Sequence, residues 1–141
     1  LQRDGTQRAP VLMLDLDHFK QINDAFGHAA GDVALRHCAA LLRDSLRKFD
    51  KVGRLGGEEF AILLSGADLA AAQGFAERLR QKIAETPLIH DSRVILVMVS
   101  IGVATMRAQD TSVDAALGRA DAALYQAKKQ GRNRVAIAAS D

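Results

Sequence analysis

The chain has 141 residues and a mass of 15.2 kDa, room for one domain with its own core and little beyond it. Hydrophobic residues make up 48% and charged residues 26%, which excludes a disordered, collagenous or coiled-coil chain. The formal net charge is +2, too mild for the bulk footprint of a nucleic-acid or membrane binder, so any anion site has to be local. The single cysteine, Cys38, excludes an internal disulfide and fits a reducing compartment, here the cytoplasm. No apolar run reaches the roughly 18 residues of a membrane span, and nothing of signal-peptide character precedes the first strand. A chain beginning at Leu1 fits a domain cut from a longer parent, to which any membrane anchor would belong.

Residues 1–10 (LQRDGTQRAP) are polar and end in proline, reading as a tail or linker remnant before a domain over 11–141. VLMLDLD is apolar on both faces as far as Leu16, the pattern of a central buried strand. Its pleat puts Val11, Met13, Asp15 and Asp17 on one side and Leu12, Leu14 and Leu16 on the other. HFKQINDAFG follows as a short helix closed by Gly27, and Gly31-Asp32 is expected to open a longer one. There Ala34, Cys38, Leu41, Leu42, Leu46 and Phe49 recur as one apolar stripe. DKVGRL and EFAILLS read as a hairpin with Gly56-Gly57 as its two-residue turn. Asp68 caps a helix with stripe Leu69, Ala72, Ala76, Leu79 and Ile83, which stops before Pro87. RVILVMVSIGVAT reads as one long strand. Thr111 or Ser112 caps a last helix with stripe Val113, Leu117, Ala120, Leu124 and Ala127, ended by Gly131, and RVAIAA is the final strand. This order contains the βαββαβ core of a ferredoxin-like α+β fold, a mostly antiparallel sheet with helices packed on it.

Four constellations could carry chemistry. Asp15 and Asp17 end the first strand, and Glu58 and Glu59 follow the Gly-Gly turn; if these strands pair, carboxylates converge and call for a cation. Mg²⁺ suits them, because it binds through one or two carboxylates and bridges to substrate phosphates. Against that, Asp17 could simply cap the next helix and the glutamates could be solvated. Gly56-Gly57 lets backbone N–H groups approach a phosphate, or is a plain turn. Lys128, Lys129, Arg132 and Arg134 around Gly131 could neutralise a triphosphate, or cap a helix C-terminus. Arg47 and Asp50, three apart, read by themselves as a surface pair. His18, His28, His37 and His90 lack metal-ligand spacing, and no Walker loop, GxGxxG or Ser/His/Asp arrangement is present.

Taken in order, Asp15-Leu16-Asp17-His18-Phe19-Lys20-Gln21-Ile22-Asn23-Asp24, Gly27-His28, Gly31-Asp32 and Arg54-Leu55-Gly56-Gly57-Glu58-Glu59-Phe60 resemble the GGDEF family, the diguanylate cyclases. The likeness continues through Ser100-Ile101-Gly102-Val103-Ala104, Ala120-Asp121, Tyr125-Gln126-Ala127-Lys128 and Gly131-Arg132-Asn133, covering essentially residues 11–138. It implies the palm-type sheet of nucleotide cyclases and one reaction: two GTP condense to cyclic di-GMP with loss of two pyrophosphates. It also implies roles. Asp15, the Leu16 carbonyl and Glu58 would hold Mg²⁺, or Mn²⁺ in its place. Glu58 or Glu59 would help deprotonate the attacking hydroxyl. Asn23 and Asp32 would read guanine; Phe19, Lys20, Lys128 and Arg132 would contact the triphosphate, Lys20 also serving the chemistry; and Gly56 and Gly57 would lie under the nucleotide.

Guanine presents N1–H and a 2-amino group to a carboxylate, whereas adenine would leave Asp32 unpaired, a penalty of about 1–3 kcal/mol. The two-fold product implies a homodimer in which each hydroxyl meets the other chain's phosphate. Arg47-Lys48-Phe49-Asp50 now resembles the family's inhibitory R-x-x-D, five residues before the glycines, with Arg78 as the second arginine of a site for cyclic di-GMP. Nucleic acid and membrane are not expected partners of this domain. Three features depart from the usual pattern: residues 1–10 lack the D-x-L-T stretch, His18 replaces a common Phe, and Gly74 offers no inhibitory-site side chain. The signature itself is GGEEF. Two other readings compete: a catalytically silent module that binds GTP or cyclic di-GMP for signalling, and a palm-like cyclase with a different product.

Overall fold

A computed structural model describes residues 9–139; of the tail expected over 1–10, residues 1–8 lie outside them, and Pro10 already belongs to the first strand. Strand β1 (Pro10–Leu16) is buried along its whole length because both its edges and both its faces are covered. It pairs antiparallel with β3 (Glu59–Leu63) on one side and β6 (Val99–Thr105) on the other. Strand β2 (Lys51–Arg54) extends the sheet beyond β3, and β7 (Val135–Ile137) runs parallel to β6. The order β2-β3-β1-β6-β7 makes this an α+β fold with the expected split βαβ core, one parallel edge and three antiparallel pairings.

The pleat of β1 sorts the core in two. Leu12, Leu14 and Leu16 pack with residues of α1 (Phe19–Phe26), α2 (His28–Ser45) and α3 (Leu69–Ala84), among them Ala34, Cys38, Leu42, Ala76, Leu79 and Ile83. Val11 and Met13 face the other way, against Ala116, Ala120 and Leu124 of α4 (Val113–Lys129). That helix lies directly on β6: a Cβ at Gly102 would overlap the Ala120 carbonyl and the Leu124 amide. Asp68 caps α3 through Ala71 N–H at 2.8 Å, and Ser112 caps α4 through Asp114 N–H.

The run read as one long strand is broken. Residues 93–95 form β5 (Arg93–Ile95), which folds back on β4 (Leu88–His90). The two residues between them, Asp91 and Ser92, have φ of 52° and 64°, as a tight primed hairpin requires. Strand β6 starts only at Val99 because its partner β1 ends at the opposing Leu16. Helix α2 begins at His28, so Gly31 lies inside it rather than opening it. The helix also ends at Ser45, and Phe49, expected in its stripe, is 70% exposed in the following turn. In α4, Ala116 is buried while Leu117 is only partly so. Gly56-Gly57 belongs to a longer connection in which Leu55 N–H bonds Glu59 O and Glu59 N–H bonds Gly56 O. Both glycines have positive φ, 80° and 50°, the left-handed region where a side chain is costly.

Candidate nucleotide and metal site

Strand register creates the acidic cluster. Asp15 stands directly opposite Glu59 on β3 and opposite Ser100 on β6, so these side chains share a face. Glu58 is held nearby, its carbonyl accepting from Leu16 N–H at 3.4 Å. Lys128, at the end of α4, donates to Asp15 Oδ2. Asp15 Oδ1 is buried with no hydrogen-bond partner among the described residues. Burial pushes the Asp15 carboxyl up to about 6, against the opposing pull of the Lys128 hydrogen bond and charge. The Glu59 carboxyl is also raised, first by burial and then by the neighbouring Asp121.

No group of three or more His, Cys, Asp and Glu side chains forms a ready cage among the described residues. The donors on hand are two carboxylates and a backbone carbonyl, all hard oxygens, with one buried oxygen left unpaired. Such a partial set suits Mg²⁺, which keeps water and takes the rest of its ligands from substrate phosphate. Asp17 is not part of it and does not cap α1 either. The residue before α1 is His18, left-handed at φ 57° and without a capping side chain. Asp17 turns inward to Ser100 and Asn133.

A cleft of about 370 Å³ opens between α2 and the β2–β3 hairpin, lined by Asp32, Leu35, Arg36, Val52, Arg54 and Phe60 among others. Asn23 sits at Gly31, one residue before Asp32: a Cβ there would overlap Asn23 Oδ1 and crowd the Phe19 ring. That oxygen too is buried and unpartnered among the described residues. The glycine loop is fixed by a residue that spacing alone did not single out: Arg54 Nε and one terminal nitrogen donate to Gly57 O at 3.0 and 2.8 Å. Lys20 lies on the exposed side of α1, paired with Asp24 at 2.9 Å, and Arg132 is exposed in the turn after α4. The structure thus joins Asp15, Glu58, Glu59 and Lys128, and joins Phe19, Asn23 and Gly31, while Lys20 and Arg132 reach toward solvent.

Arg47, Asp50, Gly74 and Arg78 line a second cleft of about 310 Å³ between the α2–β2 turn and α3. The two arginines and the aspartate therefore meet, but Asp50 does not form the expected side-chain pair with Arg47. Its carboxylate accepts from the backbone N–H groups of Arg47 and Ser65, both at 2.8 Å.

The sequence profile of the family described as "Diguanylate cyclase, GGDEF domain" matches residues 1–134. Diguanylate cyclase A of Treponema denticola is 42% identical over 127 residues, 90% of this chain and 34% of that protein. Diguanylate cyclase DgcP of Pseudomonas aeruginosa is 43% identical over 96% of this chain and 20% of its own length. The chain thus spans about a third or less of these relatives. Among solved structures, the GGDEF domain of DgcB from Caulobacter crescentus in complex with c-di-GMP superposes with a TM-score of 0.90 at 33% identity, over 97% of this chain and 81% of that one. An active GGEEF domain of a diguanylate cyclase from Vibrio cholerae gives 0.88 at 34% identity, over 99% and 88%. No helix among the described residues is long and apolar enough to cross a membrane.

Proposed function

Given that the chain belongs to the GGDEF family of diguanylate cyclase domains, we propose that residues 11–141 form a catalytic unit that condenses two GTP into cyclic di-GMP. The observation that carries this reading is the register pairing of Asp15 with Glu59 beside an unpartnered Asp15 oxygen. It is an oxygen-rich corner, and the strand that begins at Glu59 also carries Phe60 into the cleft where Asp32 lies. Asp15, the Leu16 carbonyl and Glu58 would hold Mg²⁺, which when bound neutralises charge on the α-phosphate and the departing pyrophosphate.

The chain's own groups do the rest. Asp32 and Asn23 fix guanine, with the Gly31 backbone making room for the Asn23 amide. Lys128 sits at the acidic corner, poised to follow the phosphates when they arrive. Lys20, leaving its surface pair with Asp24, and the exposed Arg132 would contact the polyphosphate, and Phe19 would pack beneath it. The ribose 3′-OH of one nucleotide attacks the α-phosphorus of the other in line with the leaving pyrophosphate. Its proton passes to a carboxylate, a role supported for Glu59 by a basicity raised through burial and Asp121. Product then binds the Arg47–Asp50–Arg78 cleft and slows the enzyme, guanidinium forks gripping its phosphates.

The test is chromatography of concentrated protein incubated with GTP and Mg²⁺. Cyclic di-GMP is expected from the parent and not from Glu58→Ala. Added product is expected to slow the parent but not Arg47→Ala. Tight cyclic di-GMP binding without any turnover would instead make the domain a receptor.

A further inference from the structure

Asp17 is a buried charge that the proposed chemistry does not use, 6% exposed and two residues beyond Asp15. Both its oxygens are engaged: Oδ1 accepts from Ser100 Oγ at 2.7 Å and Oδ2 from the backbone N–H of Asn133 at 2.8 Å. Asn133 and the preceding Arg132 both hold left-handed backbone, at φ 48° and 64°. Non-glycine residues keep that conformation when their surroundings over-determine it. Here the surroundings are explicit. Asn133 Oδ1 accepts from Arg80 of α3 at 3.0 Å, and Arg80 is in turn oriented by Glu77, which accepts from its Nε and its other terminal nitrogen. The turn after α4 is therefore gripped from two sides, by Asp17 just past the end of β1 and by Arg80 of α3. Arg132 stands inside that grip, its N–H bonded back to Ala127 O at 3.0 Å.

We propose that Arg80 and Asn133 are positioning residues that lock the turn over 131–134 against the end of β1 and so aim Arg132 at the triphosphate of the bound nucleotide. The inference rests on the reading of Arg132 as a phosphate contact. Neither residue touches substrate; each acts through the turn. With Nε and one terminal nitrogen pinned by Glu77, the planar guanidinium aims its remaining terminal nitrogen at Asn133 Oδ1, so a flexible ammonium at position 80 would hold the turn less well.

KM and kcat for GTP in the parent, Arg80→Met, Asn133→Gly, Arg132→Ala and the double variant Arg80→Met/Arg132→Ala test this. Glycine at 133 keeps the left-handed backbone without strain, so its effect reports the lost side-chain acceptor. Arg80→Met and Asn133→Gly are each expected to raise KM about tenfold, the size of one lost charge-assisted hydrogen bond. Arg80→Lys should be intermediate and serves if the methionine variant folds poorly. The double variant should be no weaker than Arg132→Ala alone, since without Arg132 there is nothing left to aim. Losses that simply multiply, or an unchanged KM in Arg80→Met beside a raised one in Arg132→Ala, would overturn the positioning role. An unchanged KM in Arg132→Ala would overturn the phosphate reading itself, and the positioning role with it.

Discussion

Asp15 shows how burial sets the working range of one side chain. Its carboxyl ionises near 3.8 in the unfolded chain and is pushed up to about 6 on folding. The folded state therefore binds that proton more tightly, and its stabilising effect is complete below about pH 4. As pH rises through 6 the carboxyl must ionise inside the protein, at a cost of roughly 3 kcal/mol. Urea denaturation at pH 4 and pH 7 should show the parent losing about that much more stability than Asp15→Asn across the interval. Equal losses in both would mean that this carboxyl does not titrate there. The same group is formally charged at neutral pH, which is when a divalent cation and Lys128 can both use it.

At the scale of elements, the packing of α4 on β6 involves two glycines with opposite expectations, one on each element. Gly102, on the strand, faces the helix backbone with no space for a methyl group, whereas Gly118, within the helix, has nothing near its missing Cβ. Gly102→Ala should cost about 1–3 kcal/mol by wedging strand and helix apart, and it should weaken activity because α4 delivers Lys128 to Asp15. Gly118→Ala should instead stabilise by about 0.5–1 kcal/mol through helix propensity. Thermal unfolding of the two variants beside the parent decides both.

Elements of this kind were legible where local chemistry governs. The alternation of Leu12, Leu14 and Leu16 against Val11 and Met13, and the caps at Asp68 and Ser112, follow from pleat and orphan N–H groups alone. The break before Val99 did not, because it depends on where a partner strand ends. Nor did the partners of Asp17, which lie 83 and 116 residues away, or the engagement of Asp50 by Ser65 N–H, 15 residues on. Such contacts exist only once the sheet has brought distant segments together.

For the molecule as a whole, the described residues of one chain offer one candidate cleft for substrate, while the proposed product joins two nucleotides symmetrically. Activity per chain should therefore rise with protein concentration and level off as the paired state fills. A rate per chain that stays flat across a hundredfold dilution would contradict the two-fold arrangement. Strand β1 bears on how such pairing can be driven. The chain enters it at Pro10, opposite Thr105, and leaves at Leu16, opposite Val99, about 20 Å further on at strand rise. Laddered on both edges and sealed on both faces, the strand behaves mechanically as a stiff rod between a handle and a tool tip. Torque or tension applied upstream of Pro10 would steer the entire body before it could bend the acidic corner. If two copies do pair for the proposed reaction, that stiffness would let a pull on the chain before Pro10 set how the two acidic corners meet without reshaping either one.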